Sequence, residues 1–156
     1  MEPDTPATRA LSGSDLVYRL VQTEVPDSVE TSAAFQGIEP GQLLRSIVIR
    51  RGTDDYVFVL VPGGRRISWP KLRAMLGVSR LSLPDREEAK EATGYERGAI
   101  TPFGSTHPWP VIGDENVTQL ALVAIGGGAR GVNLHLAPSA LIAHLDATVA
   151  DVTEPE

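Results

Sequence analysis

The chain has 156 residues and a formal net charge of −6, from 14 basic and 20 acidic side chains. It contains no cysteine, which excludes disulfides, thiolate metal sites and a cysteine nucleophile. The composition, 42% hydrophobic and 22% charged, is that of one globular domain, and its acidic balance argues against strong binding of nucleic acid through phosphate neutralisation alone.

The chain ends and the histidines limit the class of protein further. No run of about 18 uncharged apolar residues occurs and the start lacks a signal-peptide pattern, so we expect a cytoplasmic protein that does not bind a membrane. We expect a flexible N-terminus over residues 1–12, one compact domain over 13–148 and a tail over 149–156. The three histidines, His107, His135 and His144, lack metal-ligand spacing, so we expect no metal site.

The first half of the chain predicts a β-hairpin followed by a helix. Residues 44–50 and 56–61 are apolar runs joined by a turn composition. The second run is apolar at every position, which is typical of a strand covered on both faces. Ser68 is placed to cap a short helix that Gly77 ends.

The second half predicts mostly strands. The elements expected there are strands at residues 78–83, 111–112, 119–125 and, half-buried, 132–136, with helices at residues 84–93 and from Pro138. Strands outnumber helices and several connections are too short for a helical crossover. We therefore expect a mixed α/β (α+β) fold, a single compact domain with a central mixed sheet flanked by a few helices.

The loop Gly98-Ala99-Ile100-Thr101-Pro102-Phe103-Gly104 is the first candidate for a site. Glycine permits positive φ and close approach, and Pro102 stiffens the backbone. Such a loop can direct several backbone N–H groups at a carbonyl or a developing oxyanion. The same composition also suits a purely structural loop.

A series of motifs surrounds this loop. In chain order they are Ser32-Ala33-Ala34, Ile38-Glu39-Pro40-Gly41-Gln42, Thr93-Gly94-Tyr95, Gly98-x-x-x-Pro102-x-Gly104, Pro110-Val111 with Asp114, and Gly128-x-x-Gly131 before a strand and Pro138. This order, over about residues 31–147, resembles the YbaK/prolyl-tRNA-synthetase editing-domain family. The resemblance implies a compact α/β fold that hydrolyses the ester between tRNA and a wrong amino acid, commonly alanine or cysteine on proline tRNA.

The resemblance also implies roles for individual residues. The loop residues Gly98, Ala99, Ile100 and Pro102 would bind the aminoacyl carbonyl through main-chain amides while water attacks, with no covalent enzyme intermediate, no metal and no organic cofactor. The substrate-binding residues would be Phe35, Thr101, Phe103, Gly104, Asp114, Gly128 and Gly131. The partners would be the acceptor end of an aminoacyl-tRNA and an aminoacyl-tRNA synthetase.

Three of these residue types have structural alternatives. Asp114 could accept the substrate's α-ammonium or orient water, and it could equally stabilise a loop. Phe35 and Phe103 could wall a small pocket or pack in a core. The eight basic residues between positions 45 and 80 could bind phosphates or form a solvated face.

Arg45 stands where the family pattern has a lysine. Arginine keeps the positive charge, but it does not act as a base and its planar fork needs more room. Arg45 shares strand parity with Ile47 and Ile49, so we expect it to point toward the covered face and to hold the 3′-terminal adenosine phosphate or the carbonyl region. The substitution leaves two alternatives to a deacylase: an inactive module of the same fold that binds tRNA ends or a synthetase, and a small-molecule ester or amide hydrolase.

Overall fold

A computed structural model describes residues 2–156. Its strands are β1 (Arg19–Gln22), β2 (Leu44–Gly52), β3 (Asp55–Pro62), β4 (Arg65–Ile67), β5 (Val111–Asp114), β6 (Val123–Gly126), β7 (Val132–Leu136), β8 (Thr148–Ala150) and β9 (Thr153–Pro155). Its helices are α1 (Pro6–Leu11), α2 (Val29–Gln36), α3 (Trp69–Leu76), α4 (Arg86–Thr93) and α5 (Pro138–Leu145), with two 3-10 turns, η1 (Pro40–Gln42) and η2 (Glu115–Gln119). None of the helices in residues 2–156 has the length and apolarity needed to cross a membrane.

The strands are arranged in three sheets. The largest has the order β2-β3-β5-β8, in which the β2–β3 hairpin is antiparallel and the other two pairs are parallel. A second, antiparallel sheet has the order β1-β7-β6, and β4 pairs with β9. The predicted mixed α+β single domain is confirmed, with three sheets in place of one central sheet.

Strand β3 separates two hydrophobic clusters. Phe58 and Leu60 pack on one side, with the second sheet and α5, while Val57, Val59 and Val61 pack on the other side against α3. These five side chains are at most 1% exposed. Each buried side chain of this size contributes about 1.5–3 kcal/mol relative to an exposed one, so β3 is the main stabilising element of the fold, covered on both faces as predicted.

The two larger sheets meet at the start of β2 and then diverge. Leu43, directly before β2, forms an isolated parallel bridge with Ala124 of β6, and β2 is an edge strand of its sheet. Between this bridge and a second one, from Arg50 to Ser82, no described residue pairs with the outer edge of β2. A cleft opens along that edge.

Three predicted strands were wrong in extent or burial. Residues 78–83 form only a bridge between Ser82 and Arg50, because Leu81 is the one apolar side chain of the segment that packs into the nearby cluster and Leu83 is 60% exposed. Residues 115–119 form η2, since the Asp114 side chain caps that turn, and β6 begins only at Val123. Strand β7 is buried on both faces because His135 hydrogen-bonds Gln36 of α2 at 2.8 Å.

The two chain ends contain ordered elements where we expected loose segments. Helix α1 buries Ala7 and Leu11, and the Thr5 hydroxyl at its start donates to the Gly127 carbonyl at 2.6 Å. At the other end β9 pairs with β4, and Val152 and Thr153 are fully buried.

Candidate active site

The cleft between the two sheets has a volume of about 700 Å³. Four segments form its walls: residues 25–32 at the start of α2, residues 43–48 of β2, residues 97–100, and residues 126–133 around the β6–β7 turn. Leu83, Pro84 and Ala89 complete the lining. These segments are distant in sequence, so the cleft depends on the pairing of β7 with β1 and β6.

The 98–102 loop presents backbone amides that have no partner within the fold. Gly98 has φ +94°, a conformation that side chains other than glycine rarely adopt. Within residues 2–156, the N–H groups of Gly98, Ile100 and Thr101 make no hydrogen bond. The Ala99 N–H, by contrast, donates to the Glu96 carbonyl at 3.0 Å. Gly98 and Ile100 line the cleft, so their N–H groups are free for water or a ligand there, whereas Thr101 is fully buried outside the lining.

The loop is held in place from behind by buried side chains. The Tyr95 hydroxyl donates to the Phe103 carbonyl at 2.5 Å, and burial raises the pKa of Tyr95 to about 12, so it remains a donor. Gly104 packs against α1, where an added Cβ would lie 2.3 Å from the Pro6 carbonyl oxygen. Thr101 is fully buried and its hydroxyl has no partner in residues 2–156. The loop is therefore a fixed part of the fold.

Arg45 and Ser46 are adjacent lining residues with unsatisfied buried atoms. Arg45 Nη2 donates to the Arg65 carbonyl at 2.6 Å and lies 3.5 Å from a carboxylate oxygen of Glu156. Its Nε and the Ser46 hydroxyl are buried without a partner in residues 2–156. Successive strand residues point to opposite faces, so the cleft wraps around the edge of β2. Leaving such groups unpaired costs about 1–3 kcal/mol each, which a ligand would recover.

Only some of the predicted site residues line the cleft. Those that do are Arg45, Gly98, Ala99, Ile100 and Gly131. Those outside the lining are Phe35, Thr101, Pro102, Phe103, Gly104, Asp114 and Gly128. Thr101 and Pro102 directly follow the lining residues 97–100 and fix the direction in which the backbone continues.

The residues outside the lining have other contacts. Phe35 is 46% exposed on α2, and Phe103 is buried in the core with its ring 5.8 Å from that of His144. Gly128 packs against Thr5 and Tyr95, which an added Cβ would approach to 3.0 and 3.1 Å. The structure thus gives these three residues packing or surface positions away from the cleft.

Asp114 is fully buried at the end of β5. Its carboxylate accepts hydrogen bonds from the backbone N–H and side-chain amide of Asn116 and, at 3.3 Å, from the Val152 N–H. Burial alone would raise the pKa of Asp114, but the hydrogen bonds from Asn116, Thr153 and Val152 outweigh it and lower the pKa. The structural alternative for Asp114 fits these contacts, and we leave it out of the site.

Most of the lining was not predicted from the sequence, and the polar or charged residues missed include Asp27, Ser46, Arg97, Arg130 and Asn133. Asn133 is 8% exposed, and its side-chain amide makes no hydrogen bond to residues 2–156. Ser46 and Asn133 could have been recognised from the sequence, because each is a small polar residue inside an otherwise apolar strand.

The cleft contains no nucleophile paired with a base. Its ionisable side chains are Asp27, Arg45, Arg97 and Arg130, and the three histidines lie outside the lining. A lining of free amides, a buried hydroxyl and arginine N–H groups can hold and polarise a carbonyl oxygen. The fold and this cleft thus define a small α+β domain whose candidate site consists of backbone amides and arginine side chains.

Comparison with known proteins places the chain in a family. The sequence model of the aminoacyl-tRNA editing domain matches residues 23–143, and the chain belongs to this family. It is 26% identical over 139 residues to EbsC of Enterococcus faecalis, a protein named as a candidate Cys-tRNA(Pro)/Cys-tRNA(Cys) deacylase, covering 89% of this chain and 85% of that one.

Two further matches connect the chain with proline–tRNA ligases. It is 32% identical over 108 residues to the proline–tRNA ligase of Thermosipho melanesiensis, a match that covers 69% of this chain and 19% of the ligase. The chain thus spans about a fifth of the ligases it matches. The crystal structure of a candidate trans-editing enzyme for prolyl-tRNA synthetase superposes with a TM-score of 0.87 at 28% identity, over 98% of this chain and 99% of that one.

Proposed function

We propose that the chain is a trans-editing aminoacyl-tRNA deacylase, which hydrolyses the ester that joins a small, wrongly attached amino acid to tRNA. Alanine or cysteine on proline tRNA is the substrate class we favour. Membership of the editing-domain family supports the reaction, and the printed name of the EbsC relative supports the class of amino acid. A partner aminoacyl-tRNA synthetase would supply the mischarged tRNA.

The unpaired amides of Gly98 and Ile100 in the 98–102 loop carry the proposal. When water adds to the ester carbon, negative charge develops on the carbonyl oxygen, and fixed N–H donors stabilise it. Gly98 and Ile100 have such N–H groups available in the lining, while the Ala99 amide is already used. Removal of one donor of this kind typically costs about 10²–10³ in rate.

Arg45, Ser46 and Asp27 would hold the rest of the aminoacyl group. Arg45 and Ser46 belong to the lining of the same cleft as the loop. A rotation of either side chain would bring its unpaired Nε or hydroxyl to an ester oxygen. Asp27 is the one acidic residue in the lining and would accept the substrate's α-ammonium. We transfer this role from Asp114, whose oxygens are already engaged within the fold.

Water is the nucleophile in this mechanism. Its oxygen adds to the carbonyl carbon, and the bond from that carbon to the tRNA 3′-terminal oxygen breaks. A proton from the attacking water passes to that oxygen, which leaves as the free hydroxyl of the tRNA, and the amino acid leaves with its carboxyl group. The lining supplies no histidine for proton transfer, so we assign that step to the substrate's own groups or to ordered water. The enzyme contributes binding, orientation and stabilisation of the oxyanion.

The test is single-turnover deacylation of labelled Ala-, Cys-, Ser- and Pro-tRNA that carry the proline anticodon, with cognate Ala-tRNA and Cys-tRNA as controls. Wild type, Arg45→Lys and Arg45→Ala would be compared. We expect wild type to hydrolyse at least one mischarged species and Arg45→Ala to lose that activity.

Two other outcomes would change the conclusion. If wild type is inactive and Arg45→Lys gains activity, the chain is an editing scaffold that binds without hydrolysis. If wild type hydrolyses simple aminoacyl esters as fast as aminoacyl-tRNA, it is a small-molecule esterase.

A further inference from the structure

The mouth of the cleft carries a local positive charge on an acidic protein. Three arginines and one aspartate line the cleft, whereas the whole chain has a net charge of −6. Arg45 is bound to the Glu156 carboxylate and the Arg65 carbonyl. Arg97 and Arg130, the rim pair, form no ion pair with any carboxylate in residues 2–156.

The rim pair is directly attached to the carbonyl-binding loop. Arg130 Nη2 donates to the Arg97 carbonyl at 3.1 Å. A Cβ added to Gly98 would lie 3.0 Å from Arg130 Nε and Nη2 and 3.2 Å from Cζ. These distances place the Nε–Nη2 edge of the Arg130 guanidinium next to Gly98. One of its five N–H donors is used, and the others are available at the rim.

We propose that Arg130, with Arg97 beside it, binds a phosphate of the 3′-terminal nucleotide of the substrate. This inference rests on the proposed function, because it assigns the nucleotide end of the same substrate. Guanidinium groups suit phosphate since they offer parallel N–H donors in a fixed plane. The position fits, because a carbonyl held by the loop amides leaves the adjoining nucleotide at the rim that Arg130 covers.

The geometry also favours Arg130 over Arg45 as the phosphate-binding residue, although the sequence analysis predicted this role for Arg45. The Arg45 guanidinium already donates to the Arg65 carbonyl and pairs with Glu156. Its buried Nε remains free, and one N–H donor suits a single ester oxygen better than a phosphate, which an arginine normally holds with two hydrogen bonds. The two arginines thus bind different parts of the substrate, Arg45 the aminoacyl group and Arg130 the nucleotide.

The test uses two non-hydrolysable probes, the 3′-amide analogue of alanyl-adenosine and the same compound with a 5′-phosphate. Calorimetry would give Kd for both with wild type, Arg130→Ala, Arg130→Lys and Arg97→Ala. Arg86→Ala is the matched control, an exposed arginine on α4 outside the cleft. We expect wild type to prefer the phosphorylated probe by about tenfold or more, and Arg130→Ala to lose most of that preference. Arg130→Lys should retain part of it.

Several results would overturn the assignment. They are equal binding of both probes by wild type, an equal weakening of both probes in Arg130→Ala, and no binding of either probe. The second result would show that Arg130 only supports the Gly98 loop. Because the probes are not hydrolysed, a phosphate preference seen without any deacylation would uphold the site while refuting the proposed function.

Discussion

Gly98 satisfies two separate requirements that no other residue type can meet together. Its φ of +94° is unfavourable for any residue with a Cβ, and an added Cβ would come within 3.0 Å of the Arg130 guanidinium, which would have to shift. Strained backbone of this kind costs about 1–3 kcal/mol for a non-glycine residue. The shape of the 98–102 loop and the position of Arg130 therefore depend on the absence of a Cβ at Gly98.

Gly98→Ala should reduce deacylation by about 10²-fold or more, because it displaces both the loop amides and Arg130. The control is Gly13→Ala, since Gly13 has a φ of +80° with nothing within 4 Å of an added Cβ. Both variants carry similar backbone strain, so their melting temperatures should fall by similar amounts. Full activity in a folded Gly98→Ala protein would remove this loop from the mechanism.

Asp27→Asn should weaken substrate binding and leave the folded state unchanged. The carboxylate lines the cleft on an exposed residue, and it makes no ion pair within residues 2–156. Losing a charge-assisted hydrogen bond to an α-ammonium corresponds to about 1.5–3 kcal/mol, or roughly a 10- to 100-fold rise in KM. Deacylation of an N-acetylated substrate, which lacks the ammonium, should be equally slow in wild type and variant. A variant that discriminates between the two substrates as strongly as wild type would contradict the role.

Between elements, Asp114 connects three segments of the chain. It ends β5, caps η2 and accepts the Val152 N–H in the segment between β8 and β9. Because β9 and Glu156 lie next to Arg45, this contact also fixes the outer boundary of the cleft. A residue with such a role acts on stability rather than on the chemical step.

Asp114→Asn should destabilise the fold by about 1–3 kcal/mol at neutral pH, measured by urea unfolding. The folded pKa of Asp114 lies below its ordinary value of 3.8, so its stabilisation is complete above that pH. It is lost as the pH falls through the lower folded pKa, and the difference between variant and wild type should then shrink. The deacylation rate constant of folded Asp114→Asn should match that of wild type, and a specific loss of kcat would return Asp114 to the site.

The elements that the sequence predicted well are those specified by local signals. The β2–β3 hairpin follows from two apolar runs around a turn, and α4 and α5 from Asp85 and Pro138 at their starts. The cleft has no such local signal, since its walls meet only through long-range pairing such as β1 with β7. Alternation shows that Ser46 and Asn133 differ from their neighbours, but it does not show that their faces open onto a cavity. The 98–104 loop was found because its glycines and prolines are themselves unusual.

At the scale of the whole molecule, six of the eleven basic side chains outside the cleft lie in ion pairs. Half of the 14 basic side chains lie in ion pairs with nearby acidic residues. The rim pair stays free of them at the cleft mouth. This distribution suits recognition of one end of a nucleic acid, because the rest of the surface would repel the phosphates of a long helix.

The salt dependence of tRNA binding should therefore be shallow. If two phosphates are contacted, the affinity should fall by about sevenfold between about 50 and 200 mM salt, using a slope near −0.7 per phosphate for a single-stranded end. A protein that grips six to ten phosphates of a duplex loses about 10³–10⁵ over that range. A minihelix containing only the acceptor stem should show the same slope as full-length tRNA, and Arg130→Ala should lower it by about 0.7. A steep slope that Arg130→Ala leaves unchanged would place the RNA contacts on a different surface, and the basic residues between positions 45 and 80 would then be the next to replace.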